Sequence, residues 1–466
     1  MKNAEIKRVT FGSRLGILLV AAGSAVGLGN IWRFPYMLGS NGGAAFLLLY
    51  IFCILFLGLP VMITEFYIGR HSKSNAAGAF RILSPGTKWP VIGYLGIIAA
   101  FLILGFYFVI AGWTLEYVFQ SVTESFGDKS VDDFRATLSS FSAGIFRPIL
   151  WIVIFISINH LIVSTGVKKG IERSSKLLMP LLFVILVILC IRSLTLPGAS
   201  AGLDFLFRPD FSKINSSVLL SIMGQAFFSL SIGMGCMITY ASYFKDTTHL
   251  QRTAFEVTLI DTLIAVLAGV MIFPAVFSFG IEPTAGVELV FITLPNVFGK
   301  MFLSNLWSCI FFILLAVAAL TSTISLHEVA TAYLHEEKKI TRKRAAFLVS
   351  LGVLILAIIS SLSFGILKDF TLFGLTFFDL LDYVTAKLML PFGGMLICIF
   401  VGWRVEKKIL KAELTNKGTV SFYFFTIYCF LIRYIAPAAI GFIFLNEIGF
   451  IDILKEFLPI LKSFTG

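Results

Sequence analysis

Charge is scarce in this sequence. Asp, Glu, Lys and Arg together make up 14% of its 466 residues, against about a quarter in soluble globular chains. That balance excludes a water-soluble domain of this size. Metal-binding residues are as thin: there are five histidines, and no His, Asp or Glu group has ligand spacing or a nucleophile beside it. A metal centre and a hydrolytic enzyme are therefore not expected. The six cysteines (Cys53, Cys190, Cys236, Cys309, Cys398 and Cys429) all fall in hydrophobic stretches, none placed to bridge an outer loop, so no structural disulfide is expected. A cleavable signal peptide is not recognisable either, because the first apolar run continues through Arg33 without a small-residue cleavage site. No stretch within the chain reads as an attached signalling domain, which argues against a membrane sensor.

What the chain has is apolar length. Apolar residues make up 58%, and the mean hydropathy is +0.93. A helix needs about 20 mainly apolar residues to cross a bilayer. Eleven segments qualify: 13–37, 43–70, 90–122, 148–165, 174–194, 216–243, 254–280, 303–334, 345–366, 376–402 and 421–445. They predict an all-α integral membrane protein forming one transporter-sized domain over 1–466. Several segments are longer than a crossing needs, which implies tilt or extension beyond the bilayer. The tail 446–466 carries Glu447, Asp452, Lys455, Glu456 and Lys462 among apolar residues and reads as an amphipathic surface helix.

A net charge of +11 could indicate nucleic acid, but its placement points to a membrane. With the N-terminus cytoplasmic, 24 of the 37 Lys and Arg residues fall in the N-terminal arm and the connections between spans 2–3, 4–5, 6–7, 8–9 and 10–11. This follows the positive-inside rule. It predicts a multi-pass protein of a cell membrane, bacterial in type, with no nucleic-acid partner, lipid around it and an extracytoplasmic C-terminus. An N-glycosylation sequon, Asn215-Ser216-Ser217, occurs in a short outer loop; such triplets recur by chance. Loop 281–302, with Pro283 and Pro295, should fold back on the helices.

Two spans share an unusual chemistry. Span 1 contains Gly23-Ser24-Ala25-Val26-Gly27-Leu28-Gly29-Asn30, and span 6 contains Gln225-Ala226-Phe227-Phe228-Ser229-Leu230-Ser231-Ile232-Gly233-Met234-Gly235. Each interior glycine costs a helix about 1 kcal/mol relative to alanine. Such clusters predict unwinding at mid-membrane, which survives only around a buried cavity or ion. The two breaks lie five spans apart, as expected if spans 1–5 (13–194) and 6–10 (216–402) are inverted repeats, with span 11 (421–445) outside them. Close helix packing through small residues is the plainer reading of either cluster alone; their symmetric placement favours the paired break.

Unwound backbone supplies carbonyl oxygens, and a hard cation such as sodium wants an oxygen cage. Asn30, Ser229, Asp261, Thr321 and Ser322 are candidate side-chain ligands. Taken alone, Thr321-Ser322 is more simply read as hydroxyls bonding back to their own helix. Glu65, Glu116, Asp261, His327, Glu328, Asp382 and Lys387 are ionisable groups within spans and so are functional candidates by default. A helix-to-helix hydrogen bond accounts for His327 and Glu328 equally well.

The run Gly27-Leu28-Gly29-Asn30-Ile31-Trp32-Arg33-Phe34-Pro35-Tyr36, followed by Asn41-Gly42-Gly43-Ala44-Ala45-Phe46, resembles the opening signature of the neurotransmitter:sodium symporter family. Gly58-Leu59-Pro60 with Glu65 and Gly69-Arg70, Gly224 to Ser231, Thr239 to Tyr243 and Ala318 to Ser322 match it in order, over most of the chain. The resemblance implies a leucine-transporter-like fold with eleven helices, a 5+5 inverted repeat and two sodium ions as co-substrates. The first ion would be held by the Ala25 carbonyl, Asn30, Ser229, the substrate carboxylate and, across a one-residue gap in register, Asp261. The second falls on the carbonyls of Gly23, Val26 and Ala318 and the hydroxyls of Thr321 and Ser322. Tyr107 and the backbone amides of Gly27 and Gly29 would meet the amino-acid carboxylate. The side-chain pocket falls on Ile103, Phe228, Ser231, Met234, Ser322 and Leu326, which favours neutral hydrophobic amino acids, aromatic ones among them. The outer gate would be Arg33 with Asp382 under the Phe228 lid, and the inner latch Arg8 with Glu336, supported by Phe11 and Tyr243. Gly170 and Pro180 match a span 5 motif associated with water access from inside.

The sequence also departs from the family. Ala44 replaces a glycine of the usual Asn-Gly-Gly-Gly run. Asp261 puts a fixed negative charge where animal relatives bind chloride, so chloride-independent transport is expected; protonation of Asp261 on the return step would add proton antiport. A proton-coupled permease of the same architecture is the competing reading, and it has no need of Thr321-Ser322 beside span 1. The preferred amino acid and the oligomeric state are not written in the sequence.

Overall fold

The computed structural model describes residues 8–127, 129–280 and 288–450. The tail from 451 onward, Pro283, and Lys2 and Lys7 of the N-terminal arm lie outside these residues. Among the described residues the regular structure is helical, with two isolated bridges, Gly43–Pro209 and Leu372–Leu375, in place of any strand.

Among the described residues nine helices are long and apolar enough to cross a membrane: Ala44–Ser72, Pro90–Thr123, Phe146–Ser164, Val167–Leu194, Leu250–Ser278, Ser304–Glu337, Arg342–Leu362, Phe377–Arg404 and Phe425–Glu447. A tenth candidate is the pair Arg14–Ala25 and Gly29–Ser40, bent by 53° at its break. The expected sixth segment, 216–243, is a shorter helix, Ser216–Ser229, then an irregular stretch, then Cys236–Ala241. Both glycine-rich segments are thus interrupted where their composition predicts. Span 5 begins at Val167, seven residues before its expected start at 174. Lys168, Lys169 and Arg173 give that stretch the look of a loop, yet a wide turn, in which Ile171 N–H bonds back five residues to Gly166 O, carries the helix through it. Pro180 sits inside this helix.

The connections hold helices of their own: Val131–Ser142, Ala199–Phe207 and, within the expected outer loop 281–302, Leu289–Gly299, whose Leu289, Phe291 and Pro295 are buried. The sequon residue Asn215 is an N-cap whose side chain accepts from Val218 N–H at 2.9 Å, a use that accounts for it locally.

Pro90–Thr123 and Ser304–Glu337 are the most thoroughly buried spans and pack along one another at the centre. The broken helices lie against them. Spans 4, 5, 9 and 11 carry the outward apolar surface, including Leu161, Val184, Ile355 and Phe442. The basic connections meet at one end. Phe11 N–H donates to Tyr243 O (3.0 Å) and Gly12 N–H to Glu172 (2.7 Å), while Arg70 pairs with Glu413 (2.6 Å) and Arg342 with Glu328. The N-terminal arm and every even-to-odd connection are therefore neighbours, as a shared membrane face requires.

Candidate functional site

The breaks in spans 1 and 6 face each other, and each is held open by specific bonds. In span 1 the helix ends at Ala25, Val26 turns extended (ψ 111°), and Gly29 starts the next segment. In span 6, Ser231 (φ +54°), Gly233 (φ +84°) and Gly235 (φ +74°) take left-handed backbone. Ser231 bears that conformation without glycine's freedom, a strain typical of functional sites. Its hydroxyl donates to the freed carbonyl of Ser24 at 2.7 Å, joining one break to the other. The buried carboxylate of Glu65 accepts the Gly233 N–H at 2.7 Å. A membrane break needs such substitutes for its lost helical bonds.

Asn30, Ser229 and Asp261 converge from spans 1, 6 and 7. Asn30 Nδ2 donates to Asp261 Oδ1 at 2.7 Å and to Ser229 Oγ at 3.1 Å, and Ser229 Oγ donates to Asp261 Oδ2 at 2.9 Å. Asn30 Oδ1 accepts from Gly27 N–H at 3.1 Å. All three residues are buried, so the Asp261 carboxyl has polar neighbours on two sides and, among the described residues, no cationic side chain bonded to it. The Tyr50 hydroxyl lies beside this group without a hydrogen bond of good geometry; sequence reading did not single it out, because nothing local distinguishes it from a core tyrosine.

A second oxygen cluster joins span 1 to span 8. Thr321 Oγ1 lies 2.9 Å from Ala318 O and 3.4 Å from Val26 O, and Ser322 Oγ lies 3.3 Å from Val26 O. Gly23 adjoins it, since a Cβ there would sit 3.4 Å from Thr321 Cβ. The back-bonding and the ion-cage readings of Thr321 thus describe one geometry: the hydroxyl serves its own helix while facing the opened one.

Between these clusters is a cavity lined by Ala25, Gly27, Gly29, Ile103, Tyr107, Phe228, Ser229, Ser231, Met234, Ser322 and Leu326 together with Ser24. Apart from Ser24, every lining residue is one that the resemblance assigns to the substrate or, for Ala25 and Ser229, to the first ion that the substrate carboxylate completes. No charged side chain lines it. Tyr107 OH accepts the Leu28 N–H at 3.1 Å. A Cβ on Gly27 would fall 2.3 Å from Ser322 Oγ and 2.9 Å from Tyr107 OH, so only glycine fits there. The cavity is narrow, with about 30 Å³ open to the centres of water-sized spheres. The flexible thioether of Met234 and the lid ring of Phe228 are the parts able to yield.

The two gates differ. On the inner side Arg8 Nη1 lies 2.6 Å from Glu336 Oε1, with its guanidinium 4.7 Å over the Tyr243 ring. Phe11 packs edge-on against Tyr243 at 5.8 Å. Asn75 N–H and Nδ2 hold the other Glu336 oxygen at 2.9 and 3.1 Å. Tyr243 OH donates to Glu328 at 2.7 Å, and Glu328 pairs with Arg342, which extends the latch to span 9. Asn75 and Arg342 also contribute, although nothing local marks either of them. On the outer side Arg33 and Asp382 both line a cavity of about 260 Å³ with Trp32, Tyr36, Phe106 and Phe378. They form no ion pair among the described residues; Arg33 instead stacks 4.6 Å over Phe228. The inner side is latched while the outer pair stands apart.

Three of the other ionisable groups that the sequence places within spans, Glu116, Lys387 and His327, are paired within the protein. Glu116 binds Arg147 (2.7 Å) and Trp151 Nε1 (2.5 Å), Lys387 lies 3.6 Å from Glu447, and His327 Nε2 contacts Ser350 Oγ at 2.9 Å. They hold helices together and do not line the cavity.

Comparison with known proteins agrees with this geometry. The family model described as the sodium:neurotransmitter symporter family matches residues 8–137 and 126–455. The sodium-dependent transporter YhdH of Bacillus subtilis is 38% identical over 449 residues, which cover 96% of this chain and all of YhdH. A sodium-dependent transporter of Haemophilus influenzae is 37% identical, covering 95% of this chain and 98% of its own. Among solved structures, MhsT in complex with L-phenylalanine superposes with a TM-score of 0.87 at 45% identity, covering 94% of this chain and all of that one. Family match, near full-length relatives and a shared leucine-transporter-like fold lead to one conclusion: this chain belongs to the sodium:neurotransmitter symporter family, a sodium-coupled membrane transporter and not an enzyme.

Proposed function

We propose that the chain imports neutral hydrophobic L-amino acids, aromatic ones included, together with two sodium ions and without chloride. The observation that carries this reading is the cavity between the broken helices, whose side-chain end is formed by Ile103, Phe228, Met234 and Leu326 and offers no charge to an acidic or basic substrate. L-Phenylalanine in the 45% identical MhsT supports it. The substrate carboxylate meets Tyr107 OH and the amides of Gly27 and Gly29, near a helix start that favours anions. Its amino group meets freed carbonyls and Ser231.

The first sodium is assigned to Ala25 O, Asn30, Ser229 and Asp261, with the substrate carboxylate completing the shell. Binding there turns the Asn30 amide so that its oxygen faces the ion. The second is assigned to Gly23 O, Val26 O, Ala318 O, Thr321 and Ser322. Each ligand orders the break that the other needs, and that reciprocity is the coupling. Alternating access then exchanges the Arg8–Glu336 latch for closure of Arg33 toward Asp382. The clustered basic connections support a cytoplasmic N-terminus and an extracytoplasmic C-terminus.

The test is equilibrium binding of radiolabelled phenylalanine to the purified protein in sodium chloride and in sodium gluconate. Equal binding in both salts, displaced by leucine and tryptophan but not by glutamate, lysine or glycine, is expected. Loss of binding in gluconate contradicts the role given to Asp261, and displacement by glutamate or lysine contradicts the substrate class.

A further inference from the structure

Arg433 lies within span 11, eight residues past Phe425, or about 12 Å along the helix at 1.5 Å per residue. An arginine at that depth needs a partner. It has no carboxylate within ion-pair distance among the described residues, and its Nε is buried without a hydrogen-bond partner in the protein. Its position is nonetheless fixed. A Cβ on Gly402 would fall 3.0 Å from Arg433 Cα, so spans 10 and 11 touch there. Trp403 Nε1 donates to Arg433 O at 3.1 Å, and the guanidinium lies 4.3 Å over the Trp403 ring and 5.7 Å from that of Tyr434. Ring contacts offset part of the charge but satisfy none of the N–H donors.

Arg433 also lines a pocket of about 290 Å³ together with Lys407, Phe425, Cys429, Phe430 and Tyr434, with Thr426 between them. It contains two cations and no carboxylate. Lys408 and Lys411 stand on the same short helix, Lys407–Leu414, and form no ion pair among the described residues. That helix is anchored at the basic end of the bundle through Glu413 to Arg70 (2.6 Å). Beside the pocket and farther along, span 11 exposes Ile427, Phe430, Ile435 and Phe442.

We propose that this pocket binds the headgroup of an anionic phospholipid from the adjoining leaflet. The phosphate bridges Arg433 and Lys407, and an acyl chain lies along the exposed apolar face of span 11. A forked guanidinium beside a lysine suits a phosphate, and basic pockets between membrane helices on the positive side are where such headgroups settle. The aromatic wall and the depth of Arg433 favour a lipid phosphate over a free one.

Native mass spectrometry of the full chain in a neutral detergent tests this, by titration with dioleoylphosphatidylglycerol, dioleoylphosphatidylcholine and inorganic phosphate. Phosphatidylglycerol is expected to bind most tightly. At about 1 kcal/mol per basic residue, Arg433→Gln and Lys407→Gln should each weaken it about fivefold, and together roughly thirtyfold. Lys338→Gln with Lys339→Gln, an equal charge loss elsewhere on the same end, should change it less than twofold. Lys407→Gln alone carries the test should Arg433→Gln fail to fold, since Lys407 is exposed. Equal weakening by the Lys338/Lys339 pair, equal affinity for phosphatidylcholine, or inorganic phosphate competing at the lipid's own concentration would each overturn the proposal.

Discussion

At the scale of single residues, the account depends on oxygen atoms set by the two breaks. Thr321→Ala removes an oxygen that sits within 3.4 Å of three backbone carbonyls, those of Val26, Val317 and Ala318. It should abolish sodium-dependent substrate binding while leaving the fold intact, as circular dichroism would verify; a variant that binds with unchanged sodium dependence contradicts the second ion site. Gly27→Ala has a steric basis in place of an electrostatic one, the 2.3 Å approach to Ser322 Oγ. It should lower substrate affinity by at least tenfold, read by the same binding assay, with sodium-induced thermal stabilisation partly retained. Much of this site was legible in the sequence, because the chemistry is carried by residue types that are out of place in a membrane helix: glycines, Asn30, Asp261 and paired hydroxyls. Tyr50 and Ser24 were not, since a buried tyrosine and a helix serine are ordinary until their neighbours are known.

At the scale of elements, the breaks are stable because side chains elsewhere replace the missing helical bonds. Glu65, from span 2, is the clearest case, accepting the Gly233 N–H at 2.7 Å. Glu65→Ala strands that donor and should cost about 1–3 kcal/mol, seen as a lowered melting temperature. Glu65→Gln keeps an acceptor and should cost less; equal losses would show that the bond is not what matters. The peripheral clamp behaves differently because it titrates. Burial alone would raise the Glu413 carboxyl, but hydrogen bonds and charge from His71 and Arg70 outweigh it and hold it below the usual carboxylate range. A lowered carboxylate gives stability that is present above its unfolded value and is lost as pH falls through its folded one. Glu413→Gln should therefore melt below wild type at pH 7, with the difference shrinking as pH falls below the usual carboxylate range. Element boundaries were less legible than element identity. Lys168 and Lys169 mark a loop by composition, but a wide turn absorbs them into span 5, and Leu289–Gly299 is helical within the expected outer loop, with Pro295 following directly on a wide turn over Leu289–Thr293.

At the scale of the whole molecule, the state described is asymmetric: the Arg8–Glu336 latch is closed, and Arg33 and Asp382 face each other across an outer cavity. Arg8→Ala should shift the population toward an inward-open form, raising the labelling rate of a cysteine placed below the cavity several-fold in sodium. The overall architecture was readable from the apolar runs; the contribution of Asn75 to the latch was not, because Asn75 and Glu336 are far apart in sequence and meet only when the bundle closes. The central claim is that sodium binding at these breaks drives amino-acid movement. Uptake of radiolabelled phenylalanine into proteoliposomes tests it most directly, with an inward gradient of sodium compared with potassium or choline, in wild type and in Asn30→Ala. The account predicts accumulation in sodium alone and its loss in the variant; uptake indifferent to sodium but driven by a pH gradient would contradict it and place the chain's coupling with protons.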